Sequence, residues 1–229
     1  MASKRRCAIH QPNFFPRLRT LTKLYAADVW VILDDVQFCR RDYQHRARLA
    51  HLDNPGAQQW LSLNTHLPHG RATLINEARV VESELCLRRI DGLLAQYYAR
   101  SPHWRQVREP LQAVIDLITK TNRLDEISET STRVMLDLLG WQGEIVRSSA
   151  FTVRAGRSER LADLTNAVGA TAYLCGPGGA RYLDEHQFRE LGLHVQYAEK
   201  PDWVADDTWQ QGRNLSALWA MLAFDLRAP

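Results

Sequence analysis

Two short apolar runs near the start of the chain each end in groups that can do chemistry. Cys7-Ala8-Ile9 leads into His10-Gln11-Pro12-Asn13, and Val29-Trp30-Val31-Ile32-Leu33 leads into Asp34-Asp35. An imidazole titrates near neutrality, so His10 is a candidate general base. Gln11 and Asn13 each carry donors and an acceptor, fit to orient a carbonyl or an amide. The carboxylates of Asp34 and Asp35 can hold an ammonium group or orient the imidazole. Adjacent strand residues point to opposite faces, so one of the two is expected in any given site. The plainer alternatives are a histidine satisfied within the fold and a pair of turn-capping aspartates.

A further candidate lies much later, at Cys175-Gly176-Pro177-Gly178-Gly179. A glycine-rich turn after a strand exposes backbone N–H groups that can hold an oxyanion or a phosphate. Gly176, Gly178 and Gly179 are candidate binding residues on that ground, and a tight structural turn is the alternative. Cys175 would be a nucleophile if its thiol pKa were lowered, or a small buried apolar residue if not. Arg40, Arg41, Arg46 and Arg48 form a basic stretch, from which Arg46 is singled out as a partner for Asp35 or for ligand. Ser148-Ser149 reads as a hydrogen-bonding pair at a strand end. The glycine turn matches neither the phosphate loop nor the dinucleotide fingerprint, and no G-x-S-x-G elbow is present.

These groups need a scaffold that gathers strand ends. Residues 6–10 and 28–34 read as buried strands, with helical spacing of Leu18, Leu21, Leu24 and Tyr25 between them. A βαβ start of this kind implies a parallel pair. Strands are expected at 58–64, 76–81, 144–149, 171–175 and 193–197, and helices from 158, over 186–191 and over 215–226. Three apolar faces between 83 and 139 predict a helical segment, with Gly140 as its C-cap. The expected fold is α/β: a mainly parallel sheet flanked by helices, with a helical segment inserted in the middle. The whole chain, 1–229, reads as one domain, and 83–139 as a possible lobe of it. In such sheets ligands collect beyond the carboxyl ends of the strands.

Composition narrows the class. The chain has 229 residues, 45% hydrophobic and 24% charged, enough for a full core. A net charge of +3 from 29 basic and 26 acidic residues gives little reason to expect nucleic acid or a membrane as partner. Met1–Arg6 is basic, but no apolar stretch of signal-peptide or membrane-span length follows, so a cytoplasmic protein is expected. The four cysteines are scattered, which predicts neither a disulfide framework nor a zinc site. No cofactor is expected. The tryptophans are most simply core or lid residues.

Taken together, Ile9-His10-Gln11-Pro12-Asn13-Phe14-Phe15-Pro16, Leu33-Asp34-Asp35-Val36-Gln37-Phe38, Tyr43-Gln44-His45-Arg46, Trp60-Leu61-Ser62-Leu63, Ser148-Ser149 and Tyr173 through Leu183 resemble the WbqC-like family over nearly the whole chain. The motif positions of that family fall here on Gln11, Pro12, Asp34, Asp35, Gln37, Arg46, Gly176 and Tyr182. The resemblance implies a role in O-antigen or other bacterial specialised pathways. It also implies transfer of a glycyl or other aminoacyl group to an amine, forming an amide. The expected donor is a thioester, with an acyl or peptidyl carrier protein as possible partner, and the acceptor a small-molecule amine. Two alternatives stay open: hydrolysis of the same acyl bond, and a non-catalytic module that binds a carrier or a sugar intermediate.

Overall fold

A computed structural model describes residues 5–228; Met1–Lys4, part of the basic start, lie outside them. The strands are β1 (Arg6–His10), β2 (Val29–Ile32), β3 (Arg46–Ala50), β4 (Gln58–Ser62), β5 (Thr65–His66), β6 (Arg79–Val80), β7 (Glu144–Arg147), β8 (Ala172–Cys175) and β9 (His194–Tyr197). The α-helices are α1 (Leu18–Tyr25), α2 (Ser83–Tyr98), α3 (Trp104–Arg108), α4 (Gln112–Lys120), α5 (Leu124–Leu138), α6 (Arg157–Ala167), α7 (His186–Arg189), α8 (Asp206–Gly212) and α9 (Ala217–Phe224). The chain divides into two compact units. The first comprises Met1–Gln11, Thr22–Asp35 and Gln142–Lys200, and the second Pro12–Leu21, Val36–Trp141 and Pro201–Pro229.

The first unit is built on a five-stranded sheet in the order β7-β2-β1-β8-β9, parallel throughout. Its central strands are buried on both faces, which is why they read as continuous apolar runs rather than alternating ones. Cys7, Ile9, Val29, Val31, Tyr173 and Cys175 share one core with Ala162 and Leu164 of α6 and with Phe188 of α7. Tyr173 stacks on Phe188 with centroids 5.3 Å apart. The chain steps outward from β1 to β2 to β7, then returns to the other side of β1 for β8 and β9. The direction of winding therefore reverses between β1 and β8, the place where a doubly wound sheet opens a crevice for ligand.

The second unit holds two antiparallel pairs, β3 with β4 and β5 with β6, together with helices α2 to α5, α8 and α9. Residues 83–138 hold four helices where three apolar faces predict three, the second of them the short α3. Gly140 closes α5 in a left-handed conformation (φ +78°), and its N–H donates to Asp137 O. The Pro12–Pro16 segment lies on α5. Thr132 Oγ1 donates to Asn13 O at 2.8 Å, and Phe15 N donates to Ser131 Oγ at 3.0 Å. Those contacts hold Phe15 at φ +44°, a conformation that bulky residues adopt only where their surroundings impose it. Pro16 precedes α1, and Pro16 O accepts from Ala217 N at the start of α9.

Candidate functional site

All five strands of the first unit run the same way, so their last residues share one edge. His10 ends β1 and Gln11 follows it, Asp34 and Asp35 follow β2, Ser148 and Ser149 follow β7, and Gly176 follows β8. Gln11, Asp35 and Gly176, read from distant parts of the sequence, thus meet at the same edge.

Asp34 is buried, and its carboxylate is densely bonded. It accepts from Ser149 Oγ at 2.7 Å and from Ser149 N at 3.1 Å, and Arg147 Nη1 lies 3.5 Å away. Ser148 Oγ lies within reach of Asp34 Oδ1 (3.1 Å) and also of Asp35 Oδ1. Its single proton serves one of them at a time. Asp35 is paired with Arg160 from α6. A buried carboxylate costs several kcal/mol unless paired and hydrogen-bonded, and at Asp34 two serines and Arg147 offset that cost. Both aspartates turn toward Ser148, contrary to the expectation that only one would enter a site. The reason is that β2 ends at Ile32, so strand alternation no longer governs residues 34 and 35. The arginine that Asp35 finds is Arg160, not Arg46.

His10 is half-buried at the end of β1. Its Nδ1 lies 2.8 Å from Gln11 O, so in the neutral ring Nδ1–H donates there and Nε2 is the proton-accepting atom. Its own carbonyl accepts from Leu33 N and from Trp30 Nε1, which fixes the strand end. The imidazole is therefore oriented by a backbone carbonyl.

Lys23, on α1, carries no local signal in the sequence and was missed. It is only 6% exposed, and its Nζ donates to Ile9 O at 3.3 Å. The same ammonium lies 3.9 Å from where a Cβ on Gly176 would stand, which places a buried cation beside the ends of β1 and β8.

Cys175 is fully buried. Burial pushes its thiol pKa up, against the weaker opposing effect of the Lys23 charge. Below it, burial pushes Tyr173 upward as well, and Cys7 up to about 12. A nucleophilic cysteine needs a thiolate, and this environment opposes one. The glycine turn is also less open than its sequence suggests. Gly179 N and Ala180 N both donate to Gly176 O, and Pro177 has no N–H, which leaves Gly176 and Gly178 as donors for a ligand. Gly179 is closely packed: a Cβ there would stand 3.0 Å from Cys175 Sγ, which would have to give by a few tenths of an ångström. Tyr182 is exposed, with the Arg157 guanidinium 5.4 Å from its ring centroid.

Three predicted site residues belong to the second unit. Asn13 is buried, donates through Nδ2 to Pro12 O, and has a buried Oδ1 with no hydrogen-bond partner among the described residues. Gln37 is exposed and donates through Nε2 to Arg71 O. Arg46 donates through Nε to Asp42 O at 3.0 Å, and its guanidinium lies 4.2 Å from the Trp60 ring, with Arg48 4.7 Å away. That indole thus takes two cations, worth roughly 0.5–2 kcal/mol each. Among the described residues no three His, Cys, Asp or Glu side chains gather as metal ligands, and no helix is long and apolar enough to cross a membrane.

Comparison with known proteins agrees with the motifs. A protein of Mycobacterium tuberculosis named "Uncharacterized protein Rv1507c" is 25% identical over 193 residues, spanning 84% of this chain and 81% of its own. No solved structure gives a significant match. The description "WbqC-like protein family" matches residues 11–215, a stretch that runs from Gln11 through the carboxylate pair and the glycine turn to Leu215, and the chain belongs to that family.

Proposed function

We propose that this protein forms amides by moving an aminoacyl group, glycyl or similar, from a thioester to a small-molecule amine in a bacterial biosynthetic pathway. The donor is carried on a phosphopantetheine arm or a carrier protein. The observation that carries the reading is the orientation of His10: its Nδ1 faces the Gln11 carbonyl 2.8 Å away, which makes Nε2 the basic nitrogen of the neutral ring. The amine nitrogen attacks the thioester carbonyl and its proton passes to His10 Nε2. The C–S bond then breaks, and the leaving thiolate takes the proton back. The N–H groups of Gly176 and Gly178, with the Lys23 ammonium nearby, bear on the oxyanion. Asp35, less buried than Asp34, stands at the same edge and can hold the acceptor by accepting a hydrogen bond from its neutral amine, the form that attacks. Transfer is direct, because the buried, proton-retaining thiol of Cys175 disfavours an acyl-enzyme.

The test is incubation with glycyl-N-acetylcysteamine thioester and a panel of primary amines, read by mass spectrometry. Amide product is expected from the wild type, falling about 10²–10⁴-fold in His10→Ala, the usual contribution of a positioned base. Thioester hydrolysis at a rate indifferent to amine would overturn transfer in favour of a hydrolase. No turnover of any kind would leave a binding module as the better reading.

A further inference from the structure

In the second unit, a cavity of about 650 Å³ opens between the Gln37–Arg41 segment and the Leu67–Arg71 loop. The two walls are tied together by their backbones. Phe38 N donates to Thr73 O and Ile75 N to Val36 O, both at 2.9 Å, and the Gln37 side chain binds Arg71 O. Gly70 takes a left-handed conformation (φ +57°) that turns the loop into Arg71, a position strained for any other residue.

The lining chemistry has one sign. Arg40, Arg41 and Arg71 contribute three guanidiniums, and no aspartate or glutamate lines the cavity. Among the described residues none of the three arginines is in an ion pair. A second cavity of similar volume differs in this respect. Glu82 is part of its wall, and Arg123 there is held by Asp125 and Glu126. Three uncompensated guanidiniums around one concavity repel each other, and an anion relieves that repulsion. Planar guanidinium forks match the oxygens of phosphate particularly well. The size exceeds one phosphate, and Phe38 and Leu67 supply an apolar wall beside the charges.

We propose that this cavity binds the phosphate or diphosphate group of a ligand whose less polar part lies against Phe38 and Leu67. The proposal stands whether or not aminoacyl transfer does.

Cys39 supplies the readout. It lies in the cavity wall and is exposed, whereas Cys7, Cys86 and Cys175 are buried. A neutral maleimide should therefore label one thiol of the native protein quickly. Inorganic pyrophosphate at millimolar concentration is expected to slow that labelling several-fold, and chloride at matched ionic strength is not. Arg40→Ala and Arg71→Ala should each raise the half-protecting concentration about tenfold, as loss of one charge-assisted contact does. All three arginines are exposed, so these variants keep the fold. Parallel runs with ADP and coenzyme A separate the sources: stronger protection by coenzyme A assigns a phosphopantetheine ligand, and stronger protection by ADP a nucleotide. Pyrophosphate that protects no better than chloride, or protects equally well when all three arginines are alanine, would overturn the proposal.

Discussion

At the scale of single residues, the carboxylate pair does more to hold the sheet edge together than its position suggested. Asp34 gathers Ser148, Ser149 and Arg147 while almost wholly buried. Asp34→Asn keeps the shape but turns one acceptor into a donor facing donors, and it removes the carboxylate charge beside Arg147. A loss of about 2–4 kcal/mol in urea-unfolding stability is expected, below the full penalty for a broken buried pair because Arg147 is partly solvated. Asp35→Asn should cost less and instead affect the acceptor. His45 gives a second residue-level test. Burial, with Arg46 and Arg40 adding to it, lowers its pKa from 6.5 to about 4. The unfolded chain then binds the proton that the folded chain refuses between those values. Stability is accordingly full above pH 6.5 and is lost as the pH falls toward 4, with a slope approaching about 1.4 kcal/mol per unit. Denaturant midpoints from pH 7 to 4.5 measure this, and a flatter profile is expected in His45→Gln. His10, Gln11, Asp34 and Gly176 could be picked out beforehand because each directly follows an apolar run. Lys23, Arg147 and Arg160 could not. Ser148 lies 113 residues from Asp35, and sheet order brings β7 beside β2 where no local pattern records it.

At the scale of elements, periodicity located what was long or apolar and missed what was short. The βαβ start, β7, β8, β9 and α6 fall within a few residues of their expected limits, since buried parallel strands and amphipathic helices leave strong patterns. The five-residue α3, the seven-residue α8 and the two-residue β5 are too brief to complete a pattern. Leu33 to Ser149 shows a related limit: the strands expected over 28–34 and 144–149 stop earlier, where side-chain bonds to Asp34 and Asp35 replace the ladder. The short α8 nevertheless meets α9 closely. A Cβ on Gly212 would stand 2.5 Å from the Trp219 ring, which is itself buried and fixed by a bond from Nε1 to His51 O. Gly212→Ala should therefore destabilise by roughly 1–3 kcal/mol, the overpacking cost outweighing any gain in helix propensity. A thermal melt of the variant gives the sign directly.

At the scale of the whole molecule, neither unit is a continuous piece of chain. The backbone passes between them after residues 11, 21, 35, 141 and 200, so each unit is closed only when segments distant in sequence have met. Loop closure of this kind links the ordering of one unit to that of the other. A single cooperative unfolding is expected, with no stable half-folded form. Buried thiols on each side report it: Cys175 in the first unit and Cys86 in the second should become reactive at one and the same urea concentration. Midpoints well apart would show independent units. The five passages also bear on how such a gene changes through time. A recombination that replaced everything after residue 141 would join β1 and β2 of one parent to β7, β8 and β9 of another, and would leave Asp34 of one lineage facing serines of a second. Descendants of this chain are thus expected to have diverged by point substitution along an unbroken frame rather than by exchange of modules.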